Sequence, residues 1–112
     1  MTNRFRDAMQ LMRSSDPQNQ EDGFHSLRPY VADHIVEPIG EFRGEHEDHG
    51  LRCWLLELIA EARSPEALSL LTEVAQYEDE SLRDRALEAL NLLGSKEARQ
   101  VLWRIRANQP IR

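Results

Sequence analysis

Leu51-Arg-Cys-Trp-Leu-Leu-Glu-Leu-Ile-Ala-Glu-Ala-Arg-Ser64 and Leu82-Arg-Asp-Arg-Ala-Leu-Glu-Ala-Leu-Asn-Leu-Leu-Gly-Ser95 are two versions of one segment, set 31 residues apart without a gap. Arg52 falls on Arg83, Leu56 on Leu87, Glu57 on Glu88 and Ile59 on Leu90. Upstream, Asp48 falls on Asp79; downstream, Ala67 falls on Ala98 and Leu71 on Leu102. Both copies open with the pattern Asp-x-x-Leu-Arg. A gapless match of this length marks one structural unit, duplicated and stacked on itself.

Each unit reads as a pair of helices. Leu51, Leu55, Leu58, Ile59 and Ala62 recur at spacings of three and four, which puts them on one helical face. Ser64-Pro65-Glu66 stops that helix and starts the next: a capping hydroxyl, a proline suited to the first helical position, and an acid at the positive helix end. Ala67, Leu68, Leu70, Leu71, Val74 and Ala75 supply the second apolar face. In the other copy Leu82, Ala86, Leu90 and Leu93 line the first helix, Gly94-Ser95 turns, and Ala98, Val101, Leu102 and Ile105 line the last. Gly94 suits a left-handed C-terminal stop.

Upstream the pattern weakens. Shifting back by 31 places Asp33 under Ser64, Phe24 under Leu55 and Leu27 under Leu58, but Glu21 stands where the motif arginine belongs. A terminal unit diverges because one of its faces meets water. Its helices are expected over 20–31 and 33–43, with Pro38 either kinking the second or marking its true start. Residues 44–50, rich in Glu, Asp and His, read as a linker. Phe5, Ala8, Met9 and Met12 predict a short amphipathic helix that caps the stack, ended by Ser14-Ser15-Asp16-Pro17. The expected architecture is all-α: a short superhelix of two clear and one degenerate helical hairpin plus an N-terminal helix. Its parts are a capping helix at 2–13, a degenerate repeat at 20–44 and repeats at 48–77 and 79–108, all in one domain.

The Asp-x-x-Leu-Arg pattern, the Ala/Leu-rich first helix, the Gly or Ser turn and the Leu-rich second helix together resemble bacterial HEAT-like repeats, the group that includes the phycobilisome-lyase-type repeats. The resemblance covers 48–105 well and 20–42 loosely. It implies a protein-interaction scaffold, and it implies that Asp48, Arg52, Asp79 and Arg83 form a structural ladder between units.

Charge is distributed unevenly. The formal net charge is −6, with residues 1–13 at +2, 16–48 at −7, 57–88 at −6 and 96–112 at +4. An acidic middle repels phosphate backbones, which argues against nucleic acid and for a basic protein partner. No stretch approaches a membrane span, and the N-terminal residues lack the apolar region of a secretory signal. Cys53 is the single cysteine, so no internal disulfide forms, and a cytoplasmic setting is expected. The thiol sits beside a leucine-lined face with no base in view and is read as inert. His46 and His49 lie among carboxylates, but on a linker without a rigid frame, so no metal site is assigned. No phosphate loop or dinucleotide fingerprint occurs, and no cofactor or catalytic residue is expected.

What remains is a surface. Glu57 and Glu88 match across the repeat, so stacked units place them in a row that favours a basic partner. Charge alone gives little affinity, so an apolar anchor is also needed. Trp103 falls off the apolar stripe of the last helix. It either shields the open end of the stack or anchors a partner or a second copy, with Arg99 and Arg106 flanking it. Trp54, beside the core face of its own unit, is the second aromatic candidate. The expected function is therefore a non-enzymatic interaction module: an adaptor, an inhibitor or an immunity-type protein. A self-associating solenoid is the alternative.

Overall fold

The computed structural model describes residues 3–108. Its helices are α1 (Asn3–Met12), α2 (Pro17–Leu27), α3 (Val36–Gly44), α4 (His49–Ala62), α5 (Leu68–Tyr77), α6 (Glu80–Leu93) and α7 (Lys96–Ala107), with short 3-10 turns at Val31–Asp33 and Pro65–Ala67 and no strand among the described residues. The all-helical expectation holds.

Capping chemistry sets the helix starts. Asp48 and Asp79 accept the backbone N–H of Leu51 and Leu82 at 3.0 and 3.1 Å, and Ser64 and Ser95 cap the turns that follow. In α2 the sequence reading is corrected. The helix begins at Pro17, three residues earlier than expected, because Asp16 accepts from Gln18 N at 2.9 Å and Pro17 occupies the first turn. It also ends earlier, at Leu27, ahead of Pro29. Pro38 sits in the first turn of α3, where its missing N–H is not needed, so it marks the helix start without a kink.

The apolar faces merge into one continuous core running from Phe5 to Leu102, with Leu27, Leu55, Leu56, Leu58, Leu82 and Leu90 fully buried. Two helix pairs pack most extensively: α1 with α2, and α5 with α6. Small residues make both possible. A Cβ on Gly23 of α2 would lie 2.6 Å from the Ala8 carbonyl oxygen, so α1 can approach only glycine there. On α5 and α6 the buried residues include Ala75, Ala86 and Ala89. The α5–α6 packing thus spans the junction of the two repeats and exceeds that of α4 with α5. The period of 31 is unaffected; its phase is a choice the sequence leaves open. Along the stack α4 lies on α6, and α5 on α7.

Ion pairs tie successive layers together: Arg28 to Glu61, Arg43 to Glu73, and Arg52 to Glu78. Arg13 at the end of α1 holds Glu41 at 2.6 Å and Glu45 at 2.7 Å.

Candidate interaction surface

Stacking of α4 on α6 brings Glu57 and Glu88 to one groove of about 250 Å³. Leu56 and Ala60 of α4 and Ala89 and Leu92 of α6 give it an apolar floor, and Glu57, Glu61, Glu88 and Arg85 form its rim. Glu57 and Glu88 are exposed and make no ion pair among the described residues, whereas Glu61 is held by Arg28 at 2.9 Å. Leu92 is 41% exposed, so part of the floor is open to water. The sequence row of acids is therefore a rim with an apolar strip beneath it.

A second groove, of about 550 Å³, runs between α3 and α5. Phe42, Leu70 and Val74 form its base, and Tyr77 stands 83% exposed at its edge. Its charges are matched internally: Arg43 meets Glu73 at 2.6 Å, and Arg52 grips Glu78 through two bonds of 3.0 and 2.9 Å. That fork lowers the Glu78 pKa, mainly through the Arg52 hydrogen bonds, and raises that of Arg52. The Arg52 guanidinium lies 4.4 Å over the Phe42 ring, and its buried Nε has no partner among the described residues.

The four motif residues do not act alike. Asp48 and Asp79 are helix caps. The Arg52 side chain bonds not to Asp48 but to Glu78, just past α5. Arg83 forms no ion pair among the described residues, and the residue one period beyond Glu78, Gln109, lies outside them.

Trp54 is partly buried and meets Phe24 edge-to-face at 4.7 Å, packing α4 onto α2. Trp103 is 73% exposed, and Arg106 is exposed near it on α7. Neither lines the α4/α6 groove. By the repeat register Trp103 takes the place of Thr72, Arg99 that of Leu68 and Arg106 that of Ala75. Leu68, Thr72 and Ala75 fall on one helical stripe and are all at least partly buried. Their counterparts on α7 are exposed at the end of the described stack.

Two expectations about residues 44–53 are corrected. This stretch is no loose linker: α3 runs through Gly44, α4 begins at His49, and Glu45 folds back to accept from Asp48 N at 2.9 Å and Glu47 N at 3.0 Å. The Asp48 N–H, then Arg13, then the Glu47 N–H hold the Glu45 carboxyl down at about 2. Nor does Cys53 lack a base. Its Sγ lies 3.5 Å from Nε2 of His49, one helical turn earlier. His46 lines the α3/α5 groove instead, and among the described residues no three histidine, cysteine or carboxylate groups converge as metal ligands. Tyr77, the α4/α6 floor and the His49–Cys53 pair were missed by sequence reading. The available signal for the last was Asp48 as a cap, which makes His49 and Cys53 i and i+4 on one helix.

No described helix is long and apolar enough to cross a membrane. A family profile described as HEAT repeats matches residues 29–112, three quarters of the chain. No curated protein and no solved structure was found to match it.

Proposed function

The chain belongs to the HEAT-repeat family, and from that premise we propose that it is a non-enzymatic protein-interaction module whose acid-rimmed α4/α6 groove takes a basic segment of a partner protein. HEAT repeats commonly serve as interaction scaffolds, and this supports the coarse reading. The observation that carries the finer one is the placement of Glu57 and Glu88, neither in an ion pair among the described residues, over the floor of Leu56, Ala60, Ala89 and Leu92, with Arg85 as the one cation on the rim. Such a groove offers a lysine- or arginine-bearing helix both charge complementarity and apolar area. An adaptor, an inhibitor and an immunity-type protein all fit this chemistry, as do membership of the bacterial phycobilisome-lyase-type subgroup and a cytoplasmic setting. Nucleic acid does not fit the acidic rim.

The test is titration of a basic amphipathic peptide against the full chain at about 50 and about 500 mM salt, where screening differs several-fold. Binding should weaken with salt and fall about tenfold or more in the Glu57→Gln, Glu88→Gln double variant. Binding indifferent to both would remove this groove from the function.

Exposed Trp103 favours a second reading, self-association through the last helix. Sedimentation of wild type against Trp103→Ala and Arg106→Ala separates the two. A dimer that dissociates in either variant, with peptide binding intact, would place Trp103 and Arg106 in a contact between copies. The same peptide titration with Trp54→Leu asks whether Trp54 contributes beyond its packing on Phe24.

A further inference from the structure

We propose that Cys53 is a modification site: a thiol that His49 and Asp79 activate for exchange with low-molecular-weight disulfides. The arrangement is built by the fold in three steps. Asp48 caps α4, so His49 is its first residue and Cys53 lies one turn later on the same face. Stacking of α4 and α6 brings the α6 cap, Asp79, alongside. Asp79 spends Oδ1 on Leu82 N at 3.1 Å, and its Oδ2 lies 3.6 Å from His49 Nδ1. The other ring nitrogen, Nε2, is 3.5 Å from Cys53 Sγ and 3.1 Å from Ser81 Oγ. Ser81 Oγ is itself 4.0 Å from the sulfur. Carboxylate, imidazole and thiol thus follow one another: the ring takes the thiol proton, and the Asp79 carboxylate, at ion-pair distance, favours the protonated ring that results. Arg52, the remaining charged neighbour on α4, is engaged by Glu78.

Exposure decides the kind of chemistry. His49 and Asp79 side chains are 54% and 55% exposed, and Cys53 is partly so. Neither groove described above is lined by Cys53. A small reagent can reach the sulfur, but nothing encloses a substrate, which fits modification of the thiol and not turnover. In the exchange His49 Nε2 takes the proton from Sγ. The Cys53 thiolate then attacks one sulfur of the disulfide; the Sγ–S bond forms as the original S–S bond breaks. The electron pair leaves on the departing thiolate, which collects the proton from His49. One disulfide and one protein thiol become one mixed disulfide and one free thiol.

The test follows adduct formation on the full chain by intact-mass spectrometry, with oxidised glutathione as the probe near pH 7. A single adduct is expected, absent in Cys53→Ser and reversed by dithiothreitol. An ordinary thiol is only a few per cent ionised at this pH, so His49→Gln should slow the reaction about tenfold. Asp79→Asn keeps the helix cap and removes the charge, and should slow it about two- to threefold. The half-exposed positions of His49 and Asp79 leave the fold intact in both variants, checked by circular dichroism. A His49→Gln rate equal to wild type overturns the proposal, as does a folded-state rate no higher than that of the urea-unfolded chain.

Discussion

Helices α4 and α6 carry the same motif, 31 residues apart, yet they stand in different surroundings. At α4 the stripe Cys53, Leu56, Ala60 is at least partly buried; one period on, α6 presents Asp84, Leu87 and Asn91, of which Asp84 and Asn91 are exposed. The second helices repeat the contrast, with Leu68, Thr72 and Ala75 answered by Arg99, Trp103 and Arg106. Positions that match define the hairpin; positions that differ report whether another layer lies on top. Asp84, Asn91, Arg99 and Arg106 are polar and exposed where their counterparts are at least partly buried, so along these stripes polar groups meet water among the described residues. Trp103 is the exposed apolar exception among them.

The contrast can be broken most severely inside the core. Leu55 and its counterpart Ala86 are both fully buried. Leu55→Ala should cost about 2–5 kcal/mol through lost burial and the cavity left behind. Ala86→Leu should cost about 1–3 kcal/mol by overpacking the core. Chemical denaturation measures both, and equal tolerance at the two sites would mean that the copies are packed alike.

The motif arginines should differ next. Arg52→Ala leaves Glu78 without its fork and uncovers Phe42, at an expected cost of about 2 kcal/mol. Arg83→Ala should stay within about 0.5 kcal/mol, as for a surface change. Similar losses at the two positions would support a symmetric ladder.

The helix ends give a smaller, opposite-signed pair. Gly94 closes α6 at φ 65°, and its counterpart Arg63 closes α4 at φ 49°. Gly94→Ala should destabilise by about 1 kcal/mol, whereas Arg63→Gly should stabilise by up to about 1 kcal/mol, since glycine alone takes this conformation freely. Thermal or urea melts of the two variants check the signs; a loss in both would show that Arg63 makes contacts worth more than its backbone strain.

Acid probes the loops that precede the two helices. Glu45, ahead of α4, has an ordinary value of 4.5 and is held at about 2 in the fold. A carboxyl depressed on folding stabilises the protein above its unfolded pKa and loses that contribution as pH falls through the folded one, here between about 4.5 and 2. Glu78, ahead of α6, is also depressed, so it acts in the same direction. Melts across this range should flatten in Glu45→Gln, and to a lesser degree in Glu78→Gln. Amide exchange at Glu47 and Asp48 should rise as Glu45 protonates. An unchanged acid profile in Glu45→Gln would show that its carboxyl is not anchoring the loop.

The helices from α4 to α7 were legible because the repeat supplies two readings of each position, and shared apolar positions stand out from noise. Helix α2 was misplaced because Asp16-Pro17 serves equally as a stop and as a start, and only the side-chain bond to Gln18 chooses between them. The acid row of Glu57 and Glu88 was legible from register, but its apolar floor was not: Ala60, Ala89 and Leu92 become neighbours only when α4 lies on α6. Partners such as Arg13 with Glu45, or Arg52 with Glu78, are 32 and 26 residues apart and carry no local signature.

By itself the sequence determined the fold class, the period of 31, the Ser64 cap and the stripes that α1 and α4 to α7 bury. These follow from backbone geometry and from apolar spacing, both of which act within a few residues. Only the tertiary structure decided how close the helices come, which acids are already matched by arginines, and that Asp79 and Ser81 of one helix end meet His49 and Cys53 of another. Those outcomes depend on the stacking of layers, and stacking is set by the summed packing of many side chains across helices.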